Sequence, residues 1–311
     1  GSEMCIRDRS KTTMKKPNEI FKLLSGGEGL DHFSFSQLSK RYKPISMWIV
    51  DYFCRKQDQR RKDKKRYKLG FGSCANNVAQ NLIGKYYFEG ADRKEIKERD
   101  YKKVFQLEYN KYLKEPYDDN DKKIREQIEQ HIHETITNIL AAVKNIFQDK
   151  ELTCERYVSM ILEDLIIGIT GRVDFETDYD FAECKTKPPT AKFIKGDLKI
   201  YTQTLPKEPD EENIPQVAFY KKASNKTPFL FYANDKDFII FDDTHEKLSN
   251  DYLDYNLDQM IKKAKTIQRL LLLSNGDPMR MAELVERPDT THWTMNDASK
   301  EQLQIIKKLW G

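Results

Sequence analysis

The residues best suited to chemistry lie between Gly171 and Lys185, where the sequence predicts a β-hairpin. Asp174 falls on the first strand, Glu183 and Lys185 fall on the second, and the polar stretch 177–180 forms the turn. Side chains two residues apart on a strand share a face, so Glu183 and Lys185 point the same way. In the expected register, Asp174 lies beside them. Two carboxylates hold a hard divalent cation, and an adjacent lysine holds or helps to deprotonate an attacking water, which is typical of phosphodiester cleavage.

The elements that position this hairpin change in character near residue 156, from helical to strand-like periodicity. Before that point, and again after residue 215, apolar residues recur at three- and four-residue steps. We expect helices at 34–42 (resuming at 48–53 after Pro44), 73–88, 92–113, 121–147, 215–223, 252–273, 279–286 and 296–309, and strands at 157–162, 166–176, 181–185, 229–233 and 238–241. The pattern predicts an α/β fold, a small mixed sheet flanked by helices, with a helical N-terminal subdomain.

The same residues carry a resemblance to a known family. Asp174 followed by Glu183-Cys-Lys185 resembles the Asp…Glu-x-Lys signature of the PD-(D/E)XK nuclease superfamily. Gly171 fits its RecB-like branch, and Gln216…Tyr220 is similar to that branch's Gln-x-x-x-Tyr motif. The resemblance implies a restriction-endonuclease-like core in which Gln216 and Tyr220 position a DNA strand. A surface glutamine above a packed tyrosine is the alternative interpretation.

The resemblance also implies a metal cofactor, Mg²⁺ or Mn²⁺, bound by Asp174, Glu183 and the backbone carbonyl of Cys184. The branch often has a further histidine ligand on an upstream helix, and Asn76 stands at that place here. An asparagine carbonyl binds hard cations, but Asn76 is equally consistent with a capping or solvent-facing residue. Without the resemblance, Asp174, Glu183 and Lys185 would be read as a cross-strand salt bridge.

A basic stretch supplies the expected DNA-binding surface. Nine of the fourteen residues from Arg55 to Lys68 are basic, and such a run beside a nuclease site would follow phosphates without sequence preference. A solvated helix face or a mobile loop is the other interpretation. The residues assigned to DNA binding are Arg55, Lys56, Arg60, Arg61, Lys62, Lys64, Lys65, Arg66, Ser36 and Lys187. The acidic stretch 208–212 would repel DNA and is expected in an exposed loop.

Composition limits the remaining classes. The net charge is only +4, from 54 basic and 50 acidic residues, so any DNA-binding surface must be local. The five cysteines, Cys5, Cys54, Cys74, Cys154 and Cys184, lack Cys-x-x-Cys spacing, so we expect reduced thiols, a cytoplasmic or organellar location and no iron–sulfur cluster. No apolar run is long enough to span a membrane, and no signal peptide is recognised.

The expected organisation is a lead-in with a tag remnant at 1–32, starting natively at Met4 or Met14, then a helical subdomain at 33–150 and the nuclease core at 151–311. The expected function is metal-dependent exonucleolytic cleavage of single-stranded DNA or duplex ends in recombination, repair or degradation, with DNA and recombination or replication proteins as partners. A structure-specific endonuclease of the same superfamily and a non-catalytic nucleic-acid-binding module are the two alternatives.

Overall fold

The computed structural model describes residues 32–34, 38, 44–56, 67–89, 92–97, 100–148, 150–162, 165, 168–291 and 300–311. In these ranges the chain is mixed α/β. The elements are β1 (His32–Ser34), α1 (Ile45–Lys56), α2 (Tyr67–Gly84), β2 (Tyr86–Glu89), β3 (Asp92–Glu95), α3 (Tyr101–Leu113), α4 (Asp119–Arg125), α5 (Glu129–Phe147), β4 (Thr153–Met160), β5 (Gly168–Glu176), β6 (Asp180–Thr186), β7 (Thr190–Ile194), β8 (Asp197–Tyr201), α6 (Ile214–Ser224), β9 (Thr227–Ala233), β10 (Phe238–Phe241), α7 (Asn250–Ser274), α8 (Pro278–Glu283) and α9 (Lys300–Trp310).

Six strands form the central mixed sheet. The order β1-β5-β6-β9-β10 runs across it, and β4 pairs with the other edge of β5. Strands β1 with β5 and β6 with β9 are parallel, whereas β4–β5, β5–β6 and β9–β10 are antiparallel. The predicted mixed sheet flanked by helices is therefore confirmed at this level.

Two hydrophobic cores cover the opposite faces of this sheet. Along β9 the buried side chains alternate between them: Leu230 and Tyr232 enter the first core, and Phe231 and Ala233 enter the second. Helices α1, α6, α7, α8 and α9 contribute to the first core, and α2, α3 and α5 contribute to the second. Consequently α2 and α6 approach the β5–β6 hairpin from opposite faces.

Strand β1 comes from the predicted lead-in and helical regions, yet it pairs with β5 in the central sheet, with Phe33 opposite Ile169. Ser34 therefore ends a strand, and the prediction of a helix that begins at residue 34 is wrong. Among the described residues, no helix is long and apolar enough to cross a membrane.

Several predicted helix boundaries are wrong. The predicted helix 73–88 ends at Gly84, because Lys85 takes a left-handed conformation with φ 56°. The segment Tyr86–Glu89, which contains three aromatic residues, then pairs with Asp92–Glu95, where the next helix was expected to begin. The predicted helix 121–147 is two helices. Its apolar spacing conceals the break, since Ile128 keeps near-helical angles of φ −94° and ψ −4°.

The hairpin β7–β8 was not predicted at all. Its turn residues, Lys195 and Gly196, both have positive φ values of 52° and 91°, as a two-residue hairpin turn requires. Lysine at the first turn position is an unusual signal for this geometry, because asparagine, aspartate or glycine normally occupies it.

Candidate active site

Asp174 lies where β5 and β6 separate. The ladder between these strands contains the pairs Phe175–Ala182 and Glu176–Phe181 and ends before Asp174. Beyond that end, the Cys184 amide donates to Asp174 Oδ2 at 2.9 Å. The carboxylate therefore replaces a strand-to-strand hydrogen bond and is held by the backbone of β6.

Helix α2 holds the other oxygen of the same carboxylate. Asn76 Nδ2 donates to Asp174 Oδ1 at 3.1 Å, and Gln80 Nε2 donates to it at 3.0 Å. Asn76 and Gln80 are four residues apart, so they share one face of the helix. With two bonds on Oδ1 and one on Oδ2, the acceptor capacity that remains on Asp174 is mainly at Oδ2.

A chain of hydrogen bonds joins the second strand to α6. Lys185 Nζ lies 2.7 Å from Glu183 Oε1 and 2.6 Å from Gln216 Oε1. Gln216 Nε2 in turn donates to the Tyr220 hydroxyl at 3.0 Å, and that hydroxyl also accepts from the Arg172 amide at 3.2 Å. The lysine is thus fixed between a carboxylate and an amide, and α6 is tied back to β5.

Gly171 is required for this tie. A Cβ atom at Gly171 would lie 2.7 Å from Tyr220 Cε1 and 3.0 Å from Phe219 Cε1. Both contacts are with rings that are 1% exposed or less, so neither ring has room to move. Glycine lets the Tyr220 ring lie against β5. This contact explains why the residue three positions before Asp174 is a glycine.

The two carboxylates are buried, with Asp174 8% and Glu183 2% exposed. Burial raises the pKa of Asp174 to about 6, although Lys185 acts in the opposite direction. Burial, and then the charge of Asp174, raises the pKa of Glu183 to about 8. Burial acts to lower the pKa of Lys185, but the Glu183 and Asp174 carboxylates raise it overall. Two like charges that resist joint ionisation are characteristic of sites that bind a cation.

A cavity of about 590 Å³ opens over these residues. Its polar wall consists of the hairpin residues and the first turns of α2. The lining residues include Lys68, Ser73, Asn76, Asn77, Asp174, Glu183, Cys184, Lys185 and Thr186. Five of the seven predicted metal-site and catalytic residues line this cavity: Asn76, Asp174, Glu183, Cys184 and Lys185. The other two, Gln216 and Tyr220, connect to it through the hydrogen bond between Gln216 and Lys185.

The donor set fits a hard divalent cation. Glu183 Oε2 and Asn76 Oδ1 are buried, and neither has a hydrogen-bond partner among the residues that the structure describes. Leaving a buried acceptor unpaired costs roughly 1–3 kcal/mol, and an ion held between these oxygens and Asp174 Oδ2 would remove that cost. Cys184 lines the same cavity, and its thiol is free and buried, as are those of Cys74 and Cys154.

The residues predicted to bind DNA are only partly described. Lys187 forms an ion pair with Asp210 at 2.7 Å and lies 5.1 Å from the centre of the Tyr232 ring, so it is committed to the acidic loop. Arg55 and Lys56 are the last residues of α1. The predicted residues Ser36, Arg60, Arg61, Lys62, Lys64, Lys65 and Arg66 lie outside the described residues.

Sequence reasoning missed Gln80, which contacts Asp174 as closely as Asn76 does. The four-residue spacing from Asn76 was the signal that would have found it. Lys68, at the end of the basic stretch, lines the cavity and was not selected either. Its position becomes evident only when α2 is packed on the sheet.

Compared with known proteins, this chain matches no family model, no curated protein and no solved structure.

Proposed function

We propose that this protein is a metal-dependent phosphodiester hydrolase that acts on DNA, with the restriction-endonuclease-like core and RecB-like exonuclease character that the sequence motifs imply. The observation that carries the proposal is the arrangement at the end of the β5–β6 ladder. Buried Asp174 and Glu183 lie in one cavity with the Lys185 ammonium, and Glu183 Oε2 has no hydrogen-bond partner in the part of the chain that the structure describes.

The chain's own residues divide the work. Asp174 and Glu183 would hold Mg²⁺ or Mn²⁺, with Asn76 Oδ1 and the Cys184 carbonyl as further oxygen donors. Such an ion supplies Lewis-acid chemistry, withdrawing charge from a scissile phosphate and the attacking water. Lys185, held in place by Glu183 and Gln216, would orient that water or stabilise the charge of the transition state.

The surroundings of the cavity favour a nucleic-acid substrate. Lys68 lines the cavity and is the last residue of the fourteen-residue stretch that contains nine basic residues. The acidic loop is partly neutralised, because Asp210 pairs with Lys187 and Glu208 pairs with Lys247 at 3.0 Å. Lys68 is thus one basic side chain on the α2 side of the cavity that a phosphate group would meet.

The test is degradation of linear single-stranded and duplex DNA, labelled separately at each end, with Mg²⁺, Mn²⁺ or a chelator. Asp174→Asn and Lys185→Met should each lose activity. Their matched controls are Asp178→Asn, an exposed carboxylate in the turn of the same hairpin, and Lys192→Met, an exposed lysine on β7. Both controls should cleave like the unmodified protein, because neither residue reaches the cavity.

Four results would each mean something different. Ordered release of one end label supports an exonuclease, whereas cleavage of covalently closed circular DNA supports a structure-specific endonuclease. Binding of DNA without cleavage under every metal, or cleavage by the Asp174→Asn protein at the normal rate, would overturn the hydrolase proposal. In the first of those cases the non-catalytic binding module becomes the better explanation.

A further inference from the structure

A second group of metal-ligating side chains lies apart from the candidate active site. His131 and Glu134 occupy positions three apart on α5, and Asp235 lies in the β9–β10 turn. Each offers one donor atom, and these atoms all lie within 4.8 Å of one another. We refer to these three residues as the turn cluster. In the sequence, the His-x-x-Glu spacing was visible, but the third member is about a hundred residues away.

Asp235 is the buried member of the turn cluster, with a side chain only 2% exposed. Its Oδ2 atom lies 2.6 Å from His131 Nδ1 and accepts a hydrogen bond from Thr202 Oγ1 at 2.9 Å. Its Oδ1 atom is buried and has no hydrogen-bond partner among the described residues. A buried carboxylate oxygen without a partner is a costly arrangement that a bound cation would relieve.

The other two members leave a route for an ion. His131 and Glu134 side chains are 27% and 43% exposed, so a hydrated metal ion reaches the cluster from solvent and water completes its coordination. His131 Nδ1 lies 4.0 Å from Glu134 Oε2. Ligand atoms about 2.0–2.2 Å from a tetrahedral ion lie roughly 3.3 Å apart. Binding therefore requires the histidine–aspartate pair to open and the histidine–glutamate pair to close, each by less than about 1 Å. The aspartate–glutamate donor atoms, which lie within 4.8 Å of each other, close by up to about 1.5 Å.

We propose that the turn cluster is a divalent transition-metal site, with Zn²⁺ as its best match, in which His131, Glu134 and Asp235 are the protein ligands. An imidazole nitrogen beside two carboxylates favours Zn²⁺ over Mg²⁺, since magnesium is held almost entirely by oxygen. The candidate active site has the opposite preference, because its available donors are all oxygens.

A metal here would fix the end of the central sheet. The β9–β10 turn is already anchored by Asn138 Nδ2, which donates to the Asn234 carbonyl at 2.9 Å, and by Asn234 Nδ2, which donates to the Gln203 carbonyl at 2.7 Å. Strand β9 lies in register with β6, where Tyr232 is opposite Lys185. The ion would join α5 to this turn at Asp235. This residue lies three positions after Tyr232, which is opposite the candidate catalytic Lys185.

The test is a Zn²⁺ titration of the chelator-stripped full-length protein against a chromophoric zinc indicator. The Asp174→Asn protein is the background, so that the candidate active site does not contribute. In this background, His131→Gln should weaken Zn²⁺ binding by at least about 10- to 100-fold, the loss seen when even the partners of metal ligands are removed. His133→Gln is the matched control: it is two residues away on the same helix, and its Nδ1 bonds the Tyr101 hydroxyl instead.

Glu134→Gln provides a second test, since this exposed side chain is replaced without altering the core. It should weaken Zn²⁺ binding in the same direction as His131→Gln, with circular dichroism confirming that both variants are folded. Equal Zn²⁺ affinity in the His131→Gln and His133→Gln proteins would overturn the proposal, as would the absence of Zn²⁺ binding by the Asp174→Asn protein. Because the readout is metal binding, the result is independent of whether the protein cleaves DNA.

Discussion

Two clusters of metal-ligating residues lie near the C-terminal ends of the neighbouring parallel strands β6 and β9, and they differ in how they are built. The first, here called the hairpin site, comprises Asp174, Glu183 and Lys185. Its carboxylates are buried within one hairpin. Helix α2 donates to Asp174, and α6 holds Lys185 through Gln216 from the opposite face of the sheet. The turn cluster joins one exposed helix face to one buried aspartate.

This difference teaches how burial and donor type determine what a site does. The hairpin site combines two buried carboxylates with one fixed ammonium, so its acidic groups outnumber its basic group. These groups line a cavity that a substrate could enter. The turn cluster has an imidazole, no lysine among its members, and a position at the end of a strand. We therefore assign chemistry to the first and structural metal binding to the second.

The largest expected effect distinguishes the hairpin site from the turn cluster by the metal ion that each one binds. Asp174→Asn should lower DNA cleavage by about 10³-fold or more, since several kcal/mol of charge stabilisation are lost, and should abolish Mn²⁺ binding while Zn²⁺ binding persists. Asp235→Asn should leave Mn²⁺ binding intact and should remove the Zn²⁺ binding that persists in the Asp174→Asn protein. Calorimetric titration of each stripped protein with each metal checks this. Loss of both metals in both variants would show that the clusters are not separate sites.

A pH series should produce the next largest effect, at the hairpin site. A metal must displace the protons of Asp174, with a pKa of about 6, and Glu183, with a pKa of about 8. Apparent Mn²⁺ affinity should therefore rise by about 100-fold between pH 6 and pH 8 and level off above pH 8. Titrations with Mn²⁺ at four pH values measure this change in affinity. An affinity that stays the same over this pH range would contradict the buried, protonated state of the two carboxylates.

Glu183→Gln provides the matching stability measurement. The raised pKa of Glu183 means that the metal-free fold is favoured while this group is protonated, and that this stability is lost as pH rises from about 4.5 through about 8. The glutamine variant should lose less stability than the unmodified protein over that interval, while its cleavage activity is abolished. Urea unfolding at pH 5, 7 and 9 with chelator present tests the difference. An identical pH dependence in both proteins would mean that Glu183 is not the group responsible.

Gln80→Leu should have an intermediate effect. This change removes one of the two α2 donors to Asp174 Oδ1, and loss of such a partner weakens metal binding by about 10- to 100-fold. Asn81→Ala is the control, because Asn81 is on the same helix but bonds Glu108 at 3.3 Å. Mn²⁺ affinity should fall only in the first variant. If both variants bind Mn²⁺ equally, α2 does not orient the hairpin site.

Gly171→Ala should have the smallest effect on metal binding and a clear effect on stability. The added methyl group meets the Tyr220 and Phe219 rings, and overpacking of this kind costs about 1–3 kcal/mol. Displacement of α6 would also loosen the contact between Gln216 and Lys185, lowering activity. Arg172→Ala serves as the control, since that side chain is 67% exposed and its loss should change the free energy of unfolding by less than about 0.5 kcal/mol. Both are measured by chemical denaturation.

Much of the fold was accessible from sequence because the signals were local. The amphipathic α5, the alternating β5–β6 hairpin and the Pro215-initiated α6 all follow from residue spacing within one element. The errors occurred where local signals were ambiguous. Tyr86–Glu89 continue an apolar pattern that fits a helix, and only pairing with β3 makes them a strand. Likewise, the β7–β8 turn has Lys195 where a stronger turn residue is typical.

The sequence by itself determined which residues form the hairpin site, because Asp174, Glu183 and Lys185 lie within twelve residues and share one hairpin. Only the tertiary structure decided which residues support them. Gln80 reaches Asp174 across 94 positions, and Asp235 reaches His131 across 104. Spacing along a chain reports neighbours within one element, whereas contacts between elements depend on how helices pack on the sheet. Both the α2 clamp and the turn cluster arise from that packing.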